Sequence, residues 1–186
     1  MSLTPDWAPN IHPLVIHFPI ALLVAAAMTD LAGMLLRDRT SVRDAATLLY
    51  TAGAVCAVVA YFTGHHAGET VLLPAMANAL VNEHADWAFR ATWFFVFFAS
   101  IRLALSFIIR VPGYTATLVA FVAGFLGLYL LFETAERGGR LVFEHGVGVR
   151  AVGLPSAERP ATSPASSIDA VGRELVDPFS GSVTAR

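Results

Sequence analysis

Four apolar runs, read at residues 13–36, 44–63, 84–109 and 114–132, leave this chain few ways to fold. A helix of roughly 20 apolar residues crosses a hydrocarbon layer of about 30 Å, and each run is about that long or longer. Lipid offers no water to backbone N–H and C=O groups, so such a segment satisfies them internally as a helix. Short links make consecutive helices antiparallel neighbours, and four of them give a bundle. Composition agrees: 56% of the 186 residues are hydrophobic and only 14% are charged, against about 25% charged in soluble domains. The fold class is therefore all-α, an integral membrane four-helix bundle.

Several function classes fall away. The formal charge is −2, and no basic patch is present to neutralise phosphates, so no nucleic-acid partner is expected. The one cysteine, Cys56, lies inside an apolar run. It permits no intrachain disulfide and no C-x-x-C-H attachment of a c-type haem. The first ten residues lack the basic start of a secretory signal, so the first run is read as a retained helix.

The spans occupy a domain at residues 1–135, and residues 136–186 read as an extramembrane tail rich in glycine, proline and serine. Such a tail lacks the apolar content to fold alone and is expected to meet other membrane-complex subunits. The segment 70–81 reads as a short interfacial helix, and Asn82 as the N-cap of the third span. Arg37, Arg39 and Arg43 follow the first span and Arg110 follows the third. The positive-inside rule then puts both termini on the outer, periplasmic side. Arg137, Arg140 and Arg150 oppose this, but the first helix usually dominates.

With that topology all six histidines fall at one side. His12 and His17 open the first span, with Pro13 in the first turn and Pro19 deeper. Pro19 has no N–H, so it frees a carbonyl about one turn back, near His17. His65 and His66 end the second span, His84 starts the third, and His145 follows the fourth.

Three stretches carry a resemblance. They are H-P-L-V-I-H-F-P-I-A-L at residues 12–22, G-H-H-A-G-E at 64–69 and N-E-H-A-D-W-A at 82–88. Over about residues 8–135 the chain resembles a bacterial membrane family, domain of unknown function 2231. The resemblance implies a four-helix domain in a bacterial inner membrane. It also implies redox surroundings, because members are sometimes fused to Rieske or cytochrome c domains. It implies no activity and assigns no residue a role.

Three readings of the histidines follow. The first is one b-type haem between His17 and either His65 or His66, with His84 as a further member and Arg90 near a propionate. The protein would then be an accessory electron-transfer protein at the outer face, exchanging electrons with a quinol or a periplasmic carrier. The second is a non-haem metal site drawn from His17, His66, Glu69, His84 and His145, with Glu83 and Glu144. The third makes the histidines helix-end contacts in a non-catalytic subunit of a respiratory or photosynthetic complex. Separately, Asp30 and Arg102 each lie about 10 Å inside the opposite boundary by helical rise. A lone charge there costs roughly 3 kcal/mol, so the two are expected to face each other across the bundle.

Overall fold

The computed structural model describes residues 10–36, 40–71, 73–108 and 114–149. Arg37, Arg39 and Arg110, and the tail from residue 150, lie outside the described residues. Five helices follow one another: α1 (His12–Val15), α2 (His17–Leu35), α3 (Thr40–Thr70), α4 (Asn78–Ile108) and α5 (Tyr114–Phe143). No strand occurs among the described residues. Four stretches are helical, long and apolar enough to cross a membrane: His12–Leu35, Ser41–Thr70, Ala75–Ile108 and Thr115–Phe143.

The prolines shape the first span. Pro13 sits in the first turn of α1, where its missing N–H needs no partner. Pro19 cannot donate to the carbonyl of Val15, and Val15 is the last residue of α1. Ile16 separates the two helices, and its carbonyl accepts the N–H of Ile20 at a long 3.4 Å.

Three expectations about helix ends need correction. Gly64-His65-His66-Ala67-Gly68-Glu69 does not follow a helix; it lies within α3, which runs to Thr70. The segment 70–81 is not an interfacial helix. Its described residues include the end of α3, a 3-10 helix (Ala75–Ala77) and the first turn of α4. Asn82 is therefore inside α4 and caps nothing; the 3-10 turn, with Ala77 N–H donating to the Pro74 carbonyl at 2.8 Å, leads into the helix instead. The reason is burial: Ala77 and Leu80 pack with Leu141 and Val147, so the apolar pattern holds the helix together before residue 84. Helix α5 likewise passes the 135/136 boundary and continues to Phe143. Arg137 bonds to Glu133 at 2.6 Å and Arg140 to Glu144 at 3.0 Å, both at the i,i+4 spacing that supports an exposed helix.

Helix α2 packs on α3 and α5, α3 on α4, and α4 on α5, so the long helices close a ring. Its core holds Leu23, Ala26, Tyr50, Ala54, Phe95 and Ala99. Alanines and glycines bring backbones close where no hydrophobic force favours helix against helix over helix against lipid. At Gly127 a Cβ would meet the rings of Phe94 and Phe95 at 2.6 Å. Phe18, Phe62, Phe97 and Phe125 point outward, as a lipid-facing wall requires. Helices α3 and α4 have 31 residues each, about 46 Å of rise, which exceeds a hydrocarbon layer of about 30 Å. Past α5, Gly146 adopts φ 64°, a conformation open to glycine, and turns the chain back. Val147 N–H then donates to the Leu141 carbonyl at 3.0 Å.

Candidate functional site

Two histidines are held inside the bundle at one end. His12 begins α1, where its backbone N–H donates to Oδ1 of Asn10 at 3.0 Å. Its Nδ1 lies 3.3 Å from Oγ1 of Thr63 on α3. The Thr63 hydroxyl has one proton and donates it to the Ala60 carbonyl at 3.0 Å. With that proton spent on Ala60, Thr63 Oγ1 is left to accept from His12, which assigns the His12 proton to Nδ1. His84, on α4, places Nδ1 3.0 Å from the Thr134 carbonyl on α5. A carbonyl only accepts, so His84 also carries its proton on Nδ1. In both neutral rings Nε2 keeps its lone pair. Each ring rests on a glycine. A Cβ at Gly64 would come within 2.8 Å of His12 Cε1, and one at Gly138 within 3.1 Å of His84 Cε1.

The other histidines are placed differently. His17, one residue past the break at Ile16, is exposed. His65 is exposed, stacked on Tyr61 with ring centroids 6.5 Å apart, and its Nε2 is 3.6 Å from Glu69 Oε1. His66 and Glu69 are exposed, and His145 is half-buried beyond α5. No inward pairing of His17 with His65 or His66 is therefore formed. Arg90 is exposed with its guanidinium 5.1 Å from the Trp87 ring centroid. Arg137 covers the same indole at 4.7 Å. Among the described residues no three His, Cys, Asp or Glu side chains gather to hold a metal ion. The set His17, His66, Glu69, His84 and His145 thus does not converge on one point.

The opposite end holds the buried charges. Arg102 on α4 donates from Nη1 to Asp30 Oδ2 at 2.7 Å and from Nη2 to Asp30 Oδ1 at 2.9 Å. This two-pronged contact joins α2 to α4. Nη2 also reaches Thr47 Oγ1 on α3 at 3.4 Å. Both charged side chains are nearly closed off, at 8% and 9% exposure. The guanidinium lies 4.9 Å from the Tyr50 centroid and 5.6 Å from that of Phe98, a cation–π environment that replaces lost hydration.

The family model described as "Predicted membrane protein (DUF2231)" matches residues 8–151. The chain belongs to this family. The match takes in all five helices and the turn at Gly146, so the DUF2231 unit extends beyond residue 135. No curated protein and no solved structure matches the chain. The family description and the four apolar helices together make this DUF2231 chain a membrane protein.

The chemistry open to the DUF2231 site follows from the two imidazoles. A histidine that ligates a metal through Nε2 donates its Nδ1–H to a fixed acceptor, which sets the tautomer and the ring direction. His12 and His84 have that arrangement, on separate helices at the same end. These imidazoles are among the residues that could hold a b-type haem. They were not the favoured pair from sequence. Their signal in the chain was Thr63-Gly64 and Gly138: glycines in mid-helix that leave room for a ring.

Proposed function

We propose that this chain is an accessory electron-transfer protein that holds one b-type haem between His12 and His84. The observation that carries the proposal is the pair of ring contacts, His12 Nδ1 to Thr63 Oγ1 and His84 Nδ1 to the Thr134 carbonyl: with both protons on Nδ1, each Nε2 would be left for iron. A bound haem supplies single-electron transfer. The chain's own part is to fix both imidazoles, through Thr63 and Thr134, and to seat them on Gly64 and Gly138. The fine topology belongs to the same proposal. Residue 12 meets residue 63, and residue 84 meets residue 134, contacts that favour alternating, antiparallel helices. With Arg43 and the neighbouring loop arginines inside, both termini are periplasmic and the histidine end faces outward in a bacterial inner membrane. The electron partners are then a quinol or a periplasmic carrier.

A second reading has its own support. Each ring already has a hydrogen-bond partner and a glycine seat, as contacts that lock helix ends would have. In that reading the chain is a non-catalytic subunit of a larger membrane complex, with further subunits meeting its C-terminal tail.

One experiment separates them. Protein purified from cells supplied with haem is scanned oxidised and then reduced. The haem reading expects a Soret band and sharp reduced α and β bands, lost in His12→Ala and in His84→Ala and kept in His17→Ala. A haem-free protein that still copurifies with other subunits supports the second reading.

A further inference from the structure

Helix α4 carries two opposite charges that do not meet where it leaves the hydrocarbon layer. Arg90 precedes Arg102 by about 18 Å of helical rise on α4. Arg102 lies about 10 Å inside the far boundary, so Arg90 stands about 28 Å from it, at the near edge of a layer about 30 Å thick. The headgroups of a bilayer begin at that level. Asp86 is one turn further out, about 6 Å along the axis. Both side chains are exposed.

The spacing of Asp86 and Arg90 is one at which such residues pair along a helix. Here the Arg90 guanidinium lies instead on the Trp87 ring, 5.1 Å from its centroid. A ring face attracts a guanidinium without accepting its N–H groups one by one, so they stay open to oxygen acceptors. The neighbouring charges are matched: Arg137 is 2.6 Å from Glu133 and 3.6 Å from Glu83. Among the described residues Asp86 has no ion pair or hydrogen bond, and Arg90 has only the indole. Two and three turns inward, the same face of α4 returns with Phe97 and Ile101, both exposed. From outside inward the stripe reads carboxylate, guanidinium, hydrocarbon.

We propose that this stripe binds one phospholipid with an ammonium headgroup, of the phosphatidylethanolamine class. That lipid has the matching order of ammonium, phosphate and acyl chain. Its phosphate oxygens accept from the Arg90 guanidinium, and its ammonium donates to the Asp86 carboxylate. Its acyl chain lies along Phe97 and Ile101. Phosphatidylglycerol answers Arg90 but brings Asp86 no cation, and phosphatidylcholine brings a cation without an N–H. The site faces lipid and does not depend on any cofactor at His12 and His84.

The test is native mass spectrometry of the full-length protein in detergent, titrated with phosphatidylethanolamine, phosphatidylcholine or phosphatidylglycerol of identical acyl chains. Phosphatidylethanolamine is expected to bind about fivefold tighter than either of the others. Asp86→Asn should lower its affinity to that of phosphatidylcholine, and Arg90→Gln should weaken both. The comparison of the three lipids on the unaltered protein needs no variant. Equal affinities for the three overturn the proposal. So does tighter binding of phosphatidylglycerol, which assigns Arg90 to an anionic lipid alone. A phosphatidylethanolamine preference that survives Asp86→Asn, or binding undiminished in Arg90→Gln, also overturns it.

Discussion

The imidazole of His12 occupies the space that a side chain at position 64 would need: a methyl group on Gly64 would stand 2.8 Å from Cε1 and 3.1 Å from Nδ1. The ring is rigid and bonded to Thr63, so it cannot swing aside as a long flexible chain would. Gly64→Ala is expected to destabilise the protein by about 1–2 kcal/mol, overpacking less the gain in helix propensity. Gly68→Ala has open space around it and should be neutral or stabilising. Denaturation of both variants in one detergent checks this; equal stabilities would show that the ring is not seated there.

Asp30 and Arg102 should behave as a unit. Asp30→Leu alone leaves a guanidinium buried without its carboxylate, at a cost of about 3–5 kcal/mol. The double variant Asp30→Leu/Arg102→Leu removes both charges and should recover most of that loss. A double-mutant cycle measures the coupling, and simple addition of the two single losses would count against a working pair.

The histidines should divide by placement. His17→Ala, His65→Ala and His66→Ala alter exposed side chains and are expected to stay within about 0.5 kcal/mol of the parent. His84→Ala removes a half-buried ring and its bond to the Thr134 carbonyl, for a loss of about 1–2 kcal/mol. A destabilising His17→Ala beside a silent His84→Ala would reverse the assignment.

Acid should loosen the end of α5. The hydrogen bond from Arg140 holds the Glu144 carboxyl below the usual glutamate range. A depressed folded value means stability that is present above the unfolded pKa and lost as pH falls through the folded one. The group is exposed, so salt should weaken the effect. Amide exchange near residues 141–147 should quicken as pH drops below about 4, after correction for intrinsic rates. Glu144→Gln should remove that pH dependence.

The orientation is checked with a reporter fused after Arg186. Periplasmic activity is expected from the loop arginines. Cytoplasmic activity would invert the proposed sides of the histidines and the ion pair.

The spans could be read from the chain because apolar length alone specifies a membrane helix. Depth is also legible, since rise per residue puts Asp30 and Arg102 at one level. Rotation is not. Helices that are apolar on most sides give no polar stripe to say which face turns inward, so His17 looked as able to face the interior as His12. The break at Ile16 then resets the register between them. Helix ends are hard to read from sequence for a related reason. Gly64, His65 and His66 have loop composition, yet they remain helical because α3 is longer than the hydrocarbon layer is thick.

The closed pair of Asp30 and Arg102 also has an electrical meaning. One elementary charge carried across 100 mV corresponds to about 2.3 kcal/mol of work. Opposite charges at one depth cancel that work, so the membrane voltage finds no net charge to pull on in the pair. Asp30→Leu would leave a lone cation in the field and Arg102→Leu a lone anion. The two variants would therefore respond to voltage with opposite sign, while the parent ion pair stays silent.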